Sequence, residues 1–332
     1  MKSSLTLKLD PFLTALIATV TLASLLPVHG AGAPVVAGVS YFAVMLLFFL
    51  HGAKLSRDAI LNGIRAWPIH VAVILASFVM FPLFGIALRA LAGTWLNPTI
   101  GAGLVLLAIM PSTVQSSIAF TSLAGGNVPA AVCSASASSL IGVVVTPLLA
   151  ALLLAGNGGV SLDSISGIAL QLLVPFIVGH LCRPLLLGLL TRHKSLLTMV
   201  DRGVILLVVY SAFSAAVVEG LWHRYSAVDL LWTFAFCAVL LTLALVSTTT
   251  AARLLRFSKE DEITVVFCGS KKSLVSGVPM ASAMFPPALV GPMILPLMLF
   301  HQLQLMACAV LARRYARRPA TELTDAVPAA AG

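Results

Sequence analysis

Long apolar stretches separated by short polar turns run through almost the whole chain. Those long enough to cross about 30 Å of hydrocarbon fall at 11–28, 34–51, 67–90, 98–119, 128–155, 163–186, 203–221, 228–251, 262–284 and 289–312. The pattern predicts an all-α polytopic membrane protein with ten transmembrane helices. Its longest polar connections lie near 52–66, 187–202 and 252–261, too short for a soluble domain. The tail beyond Arg318 is rich in Ala, Pro and Thr and is predicted to be disordered.

Two stretches are broken in matching ways. The fourth is interrupted by Pro111 and continues through Ser112, Thr113, Gln115, Ser116 and Ser117. The ninth is interrupted at Gly269 and again at Gly277 and Pro279, with Ser270, Lys271, Lys272 and Ser273 between. Ten spans divide into two halves of five, and an odd number per half sets the halves in opposite orientations, as in secondary transporters built from inverted repeats. The expected organisation is a cytoplasmic N-terminus at 1–10, five-helix repeats at 11–155 and 163–312, and a basic then disordered cytoplasmic tail at 313–332. The broken helices are equivalent members of the two halves. Their freed backbone groups cannot be left unsatisfied in lipid, so helices 4 and 9 are expected to cross and to face a polar cavity or each other.

The adjacent lysines Lys271 and Lys272 lie about ten residues beyond the acidic run Glu260-Asp261-Glu262, roughly 15 Å deep at helical rise. An ionisable side chain at that depth costs several kcal/mol unless solvated or paired, which marks an ion or substrate site. The plainer alternative is a pair of solvated charges in a water-filled vestibule. Small Ser and Thr residues likewise have a plain reading as helix-packing positions. None of the eleven acidic residues lies deep in a span.

Composition fixes the class: 60% hydrophobic and 9% charged residues, with a mean hydropathy of +1.06, cannot cover a soluble surface. Against the predicted spans, sixteen of the 20 lysines and arginines fall on one side, only Arg89 and Arg224 on the other, and two at mid-depth. The bias predicts a plasma-membrane protein with both termini cytoplasmic. It also explains the net charge of +9 without a nucleic-acid partner, leaving membrane lipid as the surroundings. Residues 1–33 have the outline of a secretory signal peptide. Removing them would leave nine spans and put on opposite sides two basic clusters that both look cytoplasmic, so the segment is read as the first span.

Cys133, Cys182, Cys237, Cys268 and Cys308 fall in or beside apolar spans and predict no disulfides. There is no Gly-rich phosphate loop, so uphill movement would draw on a gradient. No nucleophile–base or metal-ligand spacing occurs among the seven histidines and five cysteines, so neither an enzyme nor a cofactor is predicted.

Four segments stand out: Phe48-Phe49-Leu50-His51-Gly52-Ala53-Lys54-Leu55-Ser56, Pro111-Ser112-Thr113-Val114-Gln115-Ser116-Ser117, Ala124-Gly125-Gly126-Asn127-Val128 and Phe267-Cys268-Gly269-Ser270-Lys271-Lys272-Ser273. With them the chain resembles the bile acid:sodium symporter family, in the branch of sodium/bile acid cotransporter 7 and its bacterial homologues. The resemblance covers essentially the whole chain. It implies a core domain of spans four, five, nine and ten and a panel domain of one, two, six and seven, with substrate bound between them. It also implies two sodium ions held partly by an acidic residue and a glutamine of the ninth helix. Anchored on Gly269, those positions carry Phe267 and Lys271. The family's third-helix glutamine corresponds to Ser77, its Ser-Asn pair falls near Ser116 and Ser117, and its fifth-helix hydroxyls match Ser136, Ser138 and Ser139.

Sodium dependence is therefore doubtful. One lysine is expected to replace the cation, with hydroxyls and carbonyls near 112–117 and 136–139 as acceptors, and the other to face an anionic substrate; proton coupling is the alternative. His301 and Gln302, with Gln304, lie mid-depth in the tenth span as further candidate ligands, and Tyr210, Ser211 and Ser214 as candidates for the panel wall. The expected function is secondary transport of a small organic anion by alternating access. The alternative is a non-transporting membrane regulator of ion or envelope homeostasis.

Overall fold

A computed structural model of the chain describes residues 11–54, 66–93, 95–154 and 167–317. Outside these lie the expected N-terminal segment 1–10, the basic residues Arg57, Arg65 and Arg318, the start of the sixth stretch and the expected disordered tail. The described residues are helical, with no strand among them. In chain order the helices are α1 Pro11–Leu25, α2 Gly32–Lys54, α3 Trp67–Leu75, α4 Phe81–Ala92, α5 Pro98–Ile109, α6 Val114–Leu123, α7 Val128–Leu154, α8 Val174–Leu181, α9 Arg183–Arg192, α10 Lys194–Val218, α11 Leu221–Arg224, α12 Ala227–Leu254, α13 Lys259–Gly269, α14 Leu274–Met284 and α15 Pro287–Ala316.

Among the described residues six helices are long and apolar enough to cross a membrane, and up to eight if each of two bent pairs is one span. One pair is α5 with α6, bent by 61°; the other is Leu170–Leu181 with α9, bent by 87°. The stretch expected as a single span to 186 thus ends at Leu181. Pro184 has no N–H to continue the helix, and its ring would clash with the carbonyl of His180. The first expected stretch forms the 15-residue α1, and the ninth forms α13 and α14, parted at Ser270–Ser273. Leu25, Phe42, Leu152 and Leu254 on outer faces are largely exposed, an arrangement suited to lipid as the surrounding solvent.

Prolines 68, 98, 175, 184 and 287 sit in first turns, where a missing N–H costs nothing. Pro82 interrupts a continuous span, and the chain meets it with a π-turn at Ala76–Met80. There the Phe81 N–H reaches back to the Ala76 carbonyl. The next five-back donor would be the nitrogen of Pro82, which carries no hydrogen. The Ser77 carbonyl is thereby left without a backbone donor in its own helix.

Helices α1, α2, α8 and α10 pack together, and α5, α6, α7, α13, α14 and α15 form a second group. The two groups touch where α10 lies on α15. Within the first, Gly52 of α2 packs on the Phe176 backbone while Gly179 of α8 packs on the Phe49 backbone, so two helices meet without intervening side chains. The Ala124–Val128 motif has a structural role in the second. Gly125 takes a positive φ of 73°, and Asn127 bonds Asp261 through Nδ2 at 2.9 Å, while its carbonyl accepts from Thr264 Oγ1 at 3.1 Å. This turn is thereby tied to the start of α13. The buried Glu262 carboxylate gathers Arg253, Lys259 and the Tyr315 hydroxyl, joining α12, α13 and α15.

Candidate functional site

Met110 is extended because it precedes proline, so α5 stops and the chain restarts as α6 at Val114. The second break, after Gly269, restarts as α14 at Leu274. Each break frees last-turn carbonyls and first-turn amides, which inside a membrane must find partners in the protein. The two breaks satisfy each other. Ser112 Oγ donates to the Cys268 carbonyl at 2.6 Å, Ser117 Oγ to that of Phe267 at 2.9 Å and Thr113 Oγ1 to that of Lys272 at 2.8 Å. The Ser273 N–H donates to the Pro111 carbonyl at 2.9 Å. From α7, Ser138 Oγ accepts the Ser112 N–H at 3.0 Å and Thr146 Oγ1 donates to the Ile109 carbonyl at 2.9 Å.

Gln304 closes the crossing from α15. Its Oε1 accepts the Lys272 N–H at 2.9 Å, and its Nε2 donates to the Lys272 carbonyl at 2.8 Å. His301, one turn earlier, lies 2.9 Å from the same Nε2 through Nδ1. Gln304→Leu removes both bonds to buried backbone groups, of which the carbonyl keeps Thr113. We predict a loss of about 2–4 kcal/mol, read as a lower unfolding temperature in detergent. An unchanged transition would show that the carboxamide does not hold the break.

The lysines diverge. Lys272 Nζ donates to three backbone carbonyls, Ser77 at 2.8 Å, Ala108 at 2.7 Å and Met110 at 2.7 Å, and lies 4.1 Å from the centre of the Phe81 ring. An ammonium has three N–H donors, and each has an acceptor. Two of these carbonyls are freed by the α5 break and the third by the π-turn before Pro82. Lys271 Nζ donates to the Ser116 carbonyl at 2.9 Å and lies over the Phe120 ring at 3.8 Å, with Phe267 at 5.7 Å. Both side chains are fully buried.

Beside the crossing lies a cleft. Phe48, His51, Lys54, Phe176 and Asp201 of the first helical group face Thr113, Gln115, Ser136, Ser139, Leu140, Val143, Ser273, Ser276 and Met280 of the second. The N-terminal ends of α6 and α14 both open on it. Thr113 gives its hydroxyl to the other break and does not cap α6. At α14 Ser273 Oγ accepts the Ser276 N–H at 3.1 Å. The positive ends of the two helix dipoles thus add to a wall of hydroxyls opposite apolar and aromatic side chains.

Among the candidates from sequence, Thr113, Gln115, Ser136, Ser139 and Ser273 line this cleft, whereas Ser112, Ser117, Ser138 and the lysine backbone build the crossing. The expected lysine acceptors differ: Lys272 uses carbonyls at 77, 108 and 110, and only Lys271 reaches the 112–117 segment. Neither Lys271 nor Lys272 is among the residues that line the cleft. Ser270 bonds within its own helix, to the Val266 carbonyl at 2.6 Å, and the Ser116 hydroxyl is buried without a hydrogen bond. Helical register sets Gln304 on the face of His301 and turns Gln302 aside, half-buried. Tyr210 donates to the Leu26 carbonyl at 2.9 Å and is not part of the cleft wall. The Lys54–Asp201 pair, Ser276 and the carbonyl acceptors were not legible as site residues. The free Ser77 carbonyl had one local signal, the proline five residues on.

The profile of the SBF-like CPA transporter family matches residues 10–317. An uncharacterized Pseudomonas aeruginosa protein, PA2026, is 58% identical over 93% of each chain. The candidate symporter YfeH of Escherichia coli K12 is 50% identical, covering 93% of this chain and 94% of its own. Sodium/bile acid cotransporter 7 of Danio rerio is 30% identical over 90% of this chain and 91% of its own.

Proposed function

Because the chain belongs to the SBF-like CPA transporter family, we propose that it is a secondary carrier moving an amphipathic organic anion by alternating access without sodium. Membership of a transporter family makes it a multi-pass membrane transporter and not an enzyme. Ten spans in two inverted repeats, 11–155 and 163–312, are the proposed arrangement, with both termini on the cytoplasmic side of the plasma membrane. It is supported by the α13/α14 break, which meets the α5/α6 break as equivalent members of two repeats would. In this reading α1, α2, α8 and α10 are the panel, the second helical group is the core, and the solute binds in the cleft between them.

One observation carries the sodium-independent reading: the Lys272 ammonium lies among three backbone carbonyls with no carboxylate taking part. A sodium ion in a protein interior seeks such an oxygen cage. The tethered ammonium supplies the same unit charge without diffusing away, so the crossing is complete without an ion. Hydroxyls and two helix N-termini in the cleft suit an anionic head, and Phe48, Leu140, Val143, Phe176 and Met280 suit an apolar body.

The test is uptake of labelled cholate, a steroid carboxylate, into proteoliposomes. Replacing sodium by potassium on both sides is expected to leave the initial rate unchanged. A requirement for sodium would overturn the reading. So would sodium-specific stabilisation of the purified protein, since an ion at a hundred times its Kd adds about 2.7 kcal/mol to folded-state stability.

A further inference from the structure

A second cavity adjoins the cleft, and Lys54, Gln115 and Asp201 line both. Lys54 Nζ lies 2.5 Å from Asp201 Oδ2 in the wall between them. The lysine side chain is 31% exposed and the aspartate 9%. The lysine is held in place from behind: Arg183 Nη1 donates to the Ala53 carbonyl at 3.3 Å and to the Lys54 carbonyl at 3.1 Å, fixing the end of α2. The carboxylate is not so well served. Asp201 Oδ1 is buried without a hydrogen-bond partner, although a buried carboxylate oxygen needs donors to offset its lost hydration. Lys54 thus offers a side-chain cation to the solute cleft, and its present partner is an incompletely satisfied acid on the same wall.

We propose that Lys54 binds the anionic head of the transported solute, and that Asp201 holds Lys54 while the cleft is empty and takes up a proton when the solute displaces it. The proposal rests on the cleft being the organic-anion site. The exchange balances: the Lys54 ammonium passes from the Asp201 carboxylate to the solute carboxylate, and one proton from the adjoining water neutralises Asp201. Without that proton the released aspartate would be an uncompensated buried charge, the costly outcome for a broken buried pair. Each anion binds together with one proton, with no net change in charge. The proton is therefore the coupling ion at this site.

The groups facing Asp201 limit the alternatives. From α2 they are Lys54 and His51, whose ring stands edge-on to Phe48 with 5.9 Å between centroids. From the α9 side comes Arg183, and from the first turn of α10 itself comes Lys194. Among the described residues, α1 and α14 carry no titratable side chain. His51 is the one other ionisable side chain on the wall of the cleft, and no side chain of α15 lines either cavity.

The experiment measures proton uptake with a pH indicator in weakly buffered, detergent-solubilised full-length protein on adding cholate, alongside cholate binding by calorimetry. Wild type is expected to take up about one proton per cholate bound, as the exchange requires. Asp201→Asn is expected to bind cholate with no uptake, and His51→Gln to keep the wild-type proton count. Lys54→Gln is expected to weaken binding about tenfold or more. The double variant K54Q/D201N leaves no unpaired charge, so it separates lost binding from lost folding; it is expected to remain folded and to bind as weakly. Cholate binding to wild type without proton uptake, or uptake surviving in Asp201→Asn, would overturn the inference and leave the carrier reading standing. Full-strength binding by the folded double variant would do the same. Failure of wild type to bind cholate at all would remove both.

Discussion

Lys272→Met is expected to remove most of the stability of the folded protein. The substitution keeps the length of the side chain and its apolar stem but leaves the carbonyls of Ser77, Ala108 and Met110 without their donor. Each buried acceptor left unmade costs about 1–3 kcal/mol, so three cost about 3–9 kcal/mol. Native proteins hold only about 5–15 kcal/mol in reserve. The readout is the unfolding temperature of purified protein, or the yield of folded protein where little survives. Lys272→Ala makes the complementary test because it vacates the cage. In that variant sodium is expected to raise the unfolding temperature and large organic cations are not, whereas wild type responds to neither. Wild-type stability in Lys272→Met would show that the three carbonyls do not depend on the ammonium.

Gly179→Ala is the second large effect. A Cβ at this position would lie inside van der Waals contact of the Phe49 carbonyl, and one at Gly52 inside that of Phe176. Backbone cannot swing aside as a side chain can, so α2 and α8 must separate. Overpacking of this kind costs about 1–3 kcal/mol and sometimes more. Because Phe48 and Phe176 belong to the cleft wall, weaker cholate binding is expected to accompany the lower unfolding temperature. Gly38→Ala is the control: the site has nothing within 4 Å of an added Cβ, and alanine is the better helix former by about 1 kcal/mol. Equal behaviour of the two variants would mean that the helices are not held at contact distance.

The breaks at Pro111 and Gly269 could be read from the chain because proline and glycine interrupt helices through their own covalent structure. Lys271 and Lys272 could be singled out because charge at depth is conspicuous in an apolar sequence. Their partners could not, since a backbone carbonyl leaves no mark in a sequence; what frees it is a neighbour, Pro82 for Ser77 and Pro111 for Ala108. The choice between Gln302 and Gln304 turned on helical phase, which boundary uncertainty of a few residues blurs. Lys54 and Asp201 are 147 residues apart. Each taken alone resembles an ordinary charge at the end of a span, and only the packing of α2 against α10 turns the two into a pair.

The carbonyl cage also has a direction in time. Its acceptors lie at residues 77, 108 and 110, and its donor at 272, far later in the chain. A ribosome delivers the oxygens to the bilayer first and the ammonium long after. A lone lysine at mid-membrane raises the cost of insertion by about 2.5–3.5 kcal/mol. The segment carrying Lys272 is therefore expected to enter the bilayer against spans already there, as the late piece that locks them. Chains cut short before residue 272 would then hold an open cage, recognisable to quality-control proteases as incomplete.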